Sequence, residues 1–417
     1  MISGKNILIG VTGSIAIYKS LELIREFVKA GANVKVVMSE SAKRFITPLT
    51  FEAITKNEVL HEGSESWASD KNHIDIAKWA ELFIIAPATI NTINRLNHGI
   101  CDNLLLEVAF AYCGDIILAP AANTNMYQQN ATQASLKMLK LLNYTIVEPA
   151  NKLLACGDEG VGALAEVKDI FHISLRALLK EDFWINRKVV VSGGGSIEKI
   201  DNVRFISNFS SGKMASNLSL ALYYKGADVC LVSSKFPINL PSELYTIKIE
   251  SSCELQEYLS DCIRVAKKGV MTKATLLDDT VPALIQKKPY LFMAAAVSDY
   301  KPKYPQDGKL KKDQIGDEWD LKLVKNSDIL ASLDKSDVVT VGFKAEMDEV
   351  NGKLSAKNML ESKKLDGVCL NYVSQNEFGS DDNEIIFITK DSEVVLEKSD
   401  KLSLSFDILR SVEGFDR

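Results

Sequence analysis

The chain has 417 residues, 46% of them hydrophobic and 25% charged, with a formal net charge of −6. That length holds two domains of ordinary size, each with a full core, and the acidic balance supplies no basic face for a nucleic acid. Its apolar runs stop short of a membrane span, and Met1 leads into a strand pattern without a charged n-region and cleavage site, so a cytoplasmic protein with no membrane partner is expected.

In chain order, KNILIGVTGSIAIYKSLELIREFVKAGANVKVVMSE reads as strand, tight turn, amphipathic helix ending at Gly31, and second strand. The first strand is expected from Asn6 to Gly10 and the second from Val34 to Met38. Further strands are expected from Leu82 to Ala86, Asp115 to Ala119 and Tyr144 to Val147. The turn VTGSIAIYK lacks both G-x-G-x-x-G and a Walker G-K-[ST] ending. Thr12, Gly13 and Ser14 suit a mononucleotide phosphate at a helix N-terminus, and an ordinary βα turn reads equally well. His73 precedes a helical pattern, Asn123 follows a strand, and Cys156 stands in a Gly-rich segment suited to a lid. The seven cysteines are odd in number and form no CxxC pair, which argues against a disulfide framework or a structural zinc.

The stretch LLKEDFWINR closes this unit, and at Arg187 the same grammar returns in RKVVVSGGGSIEKIDNVRFISNFSSGKMASNLSLALYYKGADVCLVSS. Strands follow near Val189, Val229, Leu291, Val339 and Gly367. The segment from Asp299 to Asp320 has little periodicity and reads as a long mobile loop. Both halves are therefore expected to be α/β, two Rossmann-like domains with mainly parallel sheets. Ligands are expected at the carboxyl ends of the strands.

Four segments of the first half then become specific in combination. HIDIAKWA with His73, APAT at 86–89, PAANTNMY with Asn123, and ACGDEGVG with Cys156 together resemble the phosphopantothenoylcysteine decarboxylases, a group of flavin-containing cysteine decarboxylases. The resemblance implies a flavodoxin-like domain over residues 1–180 that binds FMN. The flavin would oxidise the thiol side of the substrate to a thioaldehyde, an electron sink for loss of CO2, and the enethiol formed would be reduced in turn. His73 then matches the active-site base, Asn123 the residue holding the substrate carboxylate and amide, and Cys156 the proton donor. Thr12, Gly13, Ser14, Ser39 and Thr89 are the candidate FMN contacts. Ala122 stands where the family has Met, and Gly162, Ala163 and Leu164 stand where its lid ends in G-R-M.

In the second half, SGK alone reads equally as a helix cap with a snorkelling Lys213. With IDNVRFISN before it, the segment resembles the signature of the CTP-using phosphopantothenate–cysteine ligases. AAAVSDY, KLKK, LVKNSDIL, GFKAE and NEFGSDDNE follow in that family's order. The resemblance implies a ligase domain over residues 187–417 that takes phosphopantothenate, cysteine, CTP and Mg²⁺. Lys309 matches an essential loop lysine, and Asn208 a residue that turns over the acyl-cytidylate, with Arg204 beside it toward substrate. Ala295, Asp299, Lys325, Asn326, Phe343 and Lys363, with Lys309, match CTP-binding positions. Met359 stands where the family has a second lysine, and Lys357 is the candidate to replace it. The resemblance also implies trimeric decarboxylase and dimeric ligase contacts, and so a homo-oligomer such as a dodecamer.

Two other readings keep the fold. A flavin or nicotinamide oxidoreductase would carry G-x-G-x-x-G and an acid after strand two, where Met38 and Ser39 stand instead. A non-catalytic binding protein would have lost His73 or Cys156, and both are present.

Overall fold

In the computed structural model of the protein, which describes residues 1–69, 71–154, 157–276, 281–311, 316, 318–374 and 379–415, the apolar runs of the first half become strands. These are β1 (Asn6–Val11), β2 (Asn33–Met38), β3 (Leu82–Ala88), β4 (Ile116–Pro120) and β5 (Thr145–Ile146). They pair in parallel in the order β2-β1-β3-β4-β5. Continuous runs such as LFIIAPA suit this sheet because helices cover both of its faces. Leu8, Phe83, Ile85 and Leu118 of the strands share one core with Ile93, Leu105 and Val108 of the helices. The helix Tyr18–Lys29 buries Leu23, Ile24 and Phe27. Around the Gly-rich segment, β6 (Ala150–Leu153) and β7 (Glu159–Ala163) pair antiparallel.

The second half carries β8 (Lys188–Gly193), β9 (Glu198–Lys199), β10 (Phe205–Ile206), β11 (Asp228–Ser233), β12 (Tyr245–Lys248), β13 (Val270–Met271) and β14 (Leu284–Ile285). It continues with β15 (Tyr290–Met293), β16 (Tyr300–Pro302), β17 (Leu323–Lys325), β18 (Val339–Glu346), β19 (Gly367–Tyr372), β20 (Asp382–Ile388) and β21 (Glu393–Asp400). The main sheet runs β12-β11-β8-β15-β18-β19-β20-β21. It is parallel as far as β19, after which β20 and β21 add an antiparallel edge. Trp184 is fully buried at the start of this unit, with Nε1 donating to Glu413 at 2.9 Å and its ring 5.2 Å from that of Tyr290.

Three features differ from expectation. The segment from Asp299 to Asp320 does not begin as a loop: β16 pairs antiparallel with β17, its partner some twenty residues downstream. Local periodicity cannot reveal a three-residue strand with so distant a partner. The edge strands β12 and β21 are mostly exposed and so lack an apolar run to announce them. The third is β20, an additional strand in which Ile385, Phe387 and Ile388 are buried.

The chain folds into two compact units, Met1–Leu179 with Lys273–Ala283, and Lys180–Thr272 with Leu284–Arg417. Among the described residues no helix is long and apolar enough to cross a membrane.

Candidate active sites

In the first unit the candidate flavin contacts collect at the carboxyl ends of the neighbouring strands β2, β1 and β3. The Thr12 hydroxyl donates to the Pro87 carbonyl at 2.6 Å and accepts from the Thr89 N–H at 3.0 Å. It is 1% exposed, so it ties two turns together. A Cβ on Gly13 would lie 2.7 Å from Cβ and Oγ of Ser41, so only glycine lets the turn after β1 lie against the turn after β2. Ser14 caps the helical turn Ile15–Ile17 by accepting from the Ala16 N–H at 3.2 Å. Thr89 caps the helix Ile90–Asn97, and the Ser39 hydroxyl lies 3.2 Å from that of Ser41. Hydroxyls and helix N-terminal N–H groups at adjoining strand ends form a donor set that fits a mononucleotide phosphate.

A cavity of about 560 Å³ opens beside this cradle. Ser14, Lys19, Asn123, Leu154 and Glu166 line it, together with the three positions that depart from the family pattern, Ala122, Ala163 and Leu164. Asn123 caps the short helix Thr124–Gln128, its Oδ1 accepting from the Asn125 N–H at 2.9 Å. The Ala122 N–H donates to the Gly162 carbonyl at 2.9 Å, which fixes the β6–β7 hairpin against the turn after β4.

His73 does not line that cavity. It opens the helix His73–Trp79, which Asn72 caps by accepting from the N–H groups of Ile74 and Asp75. Its Nδ1 lies 3.0 Å from Oε1 of Glu65 and 3.7 Å from Oε2 of Glu107, and its ring meets Trp67 edge-on at 5.4 Å. Glu65 and Glu107 had no sequence signal, since neither spacing nor periodicity joins them to His73. Cys156, Lys312 and residues 376–378 lie outside the described residues.

In the second unit Ala295, Asp299, Lys325, Asn326, Phe343 and Lys363 line one cavity of about 480 Å³ at the carboxyl ends of β15 and β18. Asn326 is a structural knot in its wall: its Nδ2 donates to the Ser252 hydroxyl at 2.7 Å and the Ser298 carbonyl at 3.1 Å. The Lys363 ammonium lies 2.9 Å from Asp328. Burial alone would raise the Asp328 carboxyl, but the bonds from Lys363 and the Ala331 N–H hold it below the usual range. Met359 lines the cavity, whereas Lys357 pairs with Glu393 at 2.7 Å and does not. Lys344, a residue of the GFKAE motif that sequence reasoning passed over, lines it instead.

A smaller cavity of about 220 Å³ shares Ala295, Ala296, Phe343 and Lys344 and reaches Ser210, Ser211 and Gly212, where the helix Lys213–Tyr224 begins. Lys213 donates to the Gly379 carbonyl and to Asp381, each at 2.7 Å, so it joins two loops. Asn208 donates through Nδ2 to the carbonyl of Val297, a cavity-lining residue, at 2.9 Å. A Cβ on Gly195 would stand 2.7 Å from the Asn208 carbonyl oxygen, which explains a glycine there. Arg204 and Lys309 line neither cavity.

Each half of the chain has a match among known proteins. A family model described as Flavoprotein matches residues 1–179. A second, described as the DNA/pantothenate metabolism flavoprotein C-terminal domain, matches residues 184–276 and 264–415. The chain is 35% identical over 417 residues to the coenzyme A biosynthesis bifunctional protein CoaBC of Vibrio parahaemolyticus, covering 99% of this chain and 98% of that protein. It is 34% identical over 426 residues to the Bacillus subtilis CoaBC, covering 100% and 98%. A crystal structure of a CoaBC C-terminal domain is similar at 25% identity and a TM-score of 0.43, over 56% of this chain and 98% of that one. The likeness runs the full length and both halves have their own match, so the chain belongs to the family of bifunctional coenzyme A biosynthesis proteins CoaBC.

Proposed function

We propose that the chain joins cysteine to phosphopantothenate at the expense of CTP and then decarboxylates the phosphopantothenoylcysteine formed to phosphopantetheine. The observation that carries this reading is the meeting of Ala295, Asp299, Lys325, Asn326, Phe343 and Lys363 around one cavity, since sequence order alone scatters them over about seventy positions. Their gathering supports a nucleotide site with Lys325 and Lys363 facing the phosphates and Phe343 an apolar surface.

A carboxylate does not condense with an amine until its oxygen becomes a leaving group. In this reading the phosphopantothenate carboxylate attacks the α-phosphorus of CTP, pyrophosphate leaves, and cysteine's amine then displaces CMP from the acyl carbon. Lys309 and the cavity lysines offset the negative charge that collects on the phosphate oxygens. Asn208, beside the cavity wall, holds the acyl group while the amine attacks. Mg²⁺ would accompany the nucleotide's phosphates and offset part of the same charge.

In the first unit Ser14, Ser39 and Thr89 would hold FMN, with Thr12 and Gly13 shaping the turns. Bound flavin supplies the redox chemistry that makes loss of CO2 feasible. Asn123 orients the substrate carboxylate beneath the β6–β7 hairpin. Glu65 holds the proton on Nδ1 of His73, which leaves Nε2 as the base. Cys156 returns a proton to the product. Both reactions take place on small molecules in the cytoplasm, in an assembly built from trimeric decarboxylase and dimeric ligase contacts.

Two assays test the reading. The purified protein is expected to be yellow and to release FMN on denaturation. It is also expected to form pyrophosphate from CTP only when phosphopantothenate is present. A colourless protein, or pyrophosphate release that ignores phosphopantothenate, contradicts it.

A further inference from the structure

Lys309 is exposed, and among the described residues its ammonium has no hydrogen-bond or ion-pair partner. Its backbone surroundings are the opposite. Gly308, just before it, accepts at its carbonyl from the Asn202 N–H at 3.1 Å. Leu310, just after it, is held at both of its polar groups: its N–H donates to Oδ2 of Asp201 at 3.2 Å, and its carbonyl accepts from Nη2 of Arg204 at 2.8 Å. Farther back, the Gln306 N–H donates to the Ile200 carbonyl at 2.9 Å.

The two tethers on Leu310 lead to one carboxylate, and the other two end on the backbone of its neighbours Ile200 and Asn202. Asp201 is 2% exposed and accepts from the N–H groups of Val203 (2.8 Å) and Arg204 (2.7 Å) through Oδ1. Its Oδ2 accepts from Nε (3.0 Å) and Nη2 (2.6 Å) of Arg204 as well as from Leu310. The guanidinium itself lies over the Trp319 ring, 4.8 Å from its centroid. Such a buried carboxylate with every lone pair engaged is a rigid fixture.

We propose that Asp201 is a positioning residue for Lys309: directly and through Arg204 it fixes Leu310 just after the lysine, while the N–H of the adjoining Asn202 holds Gly308 just before it, so that the free ammonium is presented from one place toward the reacting phosphates. This rests on the ligase reading of Lys309 given above. It also assigns Arg204 to the tether. Burial alone would raise the Asp201 carboxyl, but the bonds from Arg204, Val203 and Leu310 hold it well below the usual carboxylate range.

The test uses the full chain and the single variants Asp201→Asn and Lys309→Gln, together with their combination. Asn keeps the shape but turns N–H groups toward Arg204 and Leu310, which releases the clamp. Displacing a catalytic group by about 1 Å can cost roughly a hundredfold, so Asp201→Asn is expected to lower kcat for ligation roughly tenfold to a hundredfold. Decarboxylation of supplied phosphopantothenoylcysteine is expected to stay unchanged. In the Lys309→Gln background the same substitution is expected to cost nothing further, because Asp201 acts through that lysine. Trypsin is expected to cut after Lys309 and Lys311 faster in the Asp201→Asn protein. Arg204→Gln, which spares the backbone bonds to Asp201, is expected to show the same pattern and serves if Asp201→Asn does not fold. Unchanged kcat and tryptic rate in a folded variant overturn the proposal, as does an equal loss in the Lys309→Gln background. Should Lys309→Gln alone leave ligation intact, the ligase reading of that lysine falls first, and the positioning role with it.

Discussion

Nδ1 of His73 lies 3.0 Å from Oε1 of Glu65, and the same carboxylate oxygen stands 3.4 Å from the His73 backbone nitrogen. The pair fixes both the ring's orientation and its tautomer. General-base catalysis is typically worth about 10²–10⁴-fold, so His73→Ala should lower decarboxylation by at least about a hundredfold while phosphopantothenoylcysteine still forms and accumulates. Glu65→Gln, which keeps the length but loses the charge, should fall between wild type and His73→Ala. Equal decarboxylation by all three proteins would detach both residues from the reaction.

Lys309→Gln should have the complementary effect. Losing a charge contact made in the transition state typically costs on the order of 3 kcal/mol, roughly a hundredfold or more in rate. Ligation should fall by that factor, and decarboxylation of supplied phosphopantothenoylcysteine should be spared, because His73 and Lys309 belong to different compact units. Loss of both activities in a folded, assembled protein would end the reading of two independent sites.

Cys156→Ser should separate two events within decarboxylation. In the proposed reaction release of CO2 would need His73, whereas the finished product would also need a proton delivered late. The variant should release CO2 and accumulate the oxidised enethiol product while its yellow colour fades. A normal yield of phosphopantetheine would remove Cys156 from the mechanism.

The pH dependence of the Asp201 tether has a definite sign. Its folded carboxyl is held well below the ordinary value of about 3.9 by Arg204 and the backbone N–H groups, despite burial. A depressed folded value contributes stability that is fully present above the unfolded pKa and is lost as pH falls through the folded one. The urea midpoint difference between wild type and Asp201→Asn should therefore stay constant from about pH 5 to 8 and shrink below about pH 4. A difference that grows on acidification would contradict the assignment of the charge.

For stability of the second unit, Trp184 is the sharpest probe. It is fully buried, touches the rings of Phe183 and Tyr290, and satisfies its N–H on Glu413. Trp184→Ala should destabilise that unit by about 3–5 kcal/mol, with Glu413 also left without its donor. Chemical denaturation followed by ligase activity would register this, and a shift under about 1 kcal/mol would mean that the core collapses into the gap.

The central strands were legible because a strand buried on both faces is an unbroken apolar run, as in LFIIAPA or KVVV. β12 and β21 were not, since exposed edges alternate weakly, and β16 was not, because its partner lies beyond any local window. Candidate site residues were read from motifs by type and order. Their mutual distances were not, and here the structure separates them by role. The nucleotide candidates meet around a cavity, Thr12 becomes a buried tie, and Arg204 is spent on Asp201 rather than turned toward a ligand. Glu65 and Glu107 meet His73 only in the fold, at distances no spacing encodes.

The most direct measurement is a single incubation of the purified full chain with phosphopantothenate, cysteine, CTP and Mg²⁺, followed by mass analysis. Phosphopantetheine should appear together with CMP, pyrophosphate and CO2 in equal amounts, and omitting CTP should abolish all four. Phosphopantothenoylcysteine that accumulates without phosphopantetheine, or no product from either step, would contradict the account.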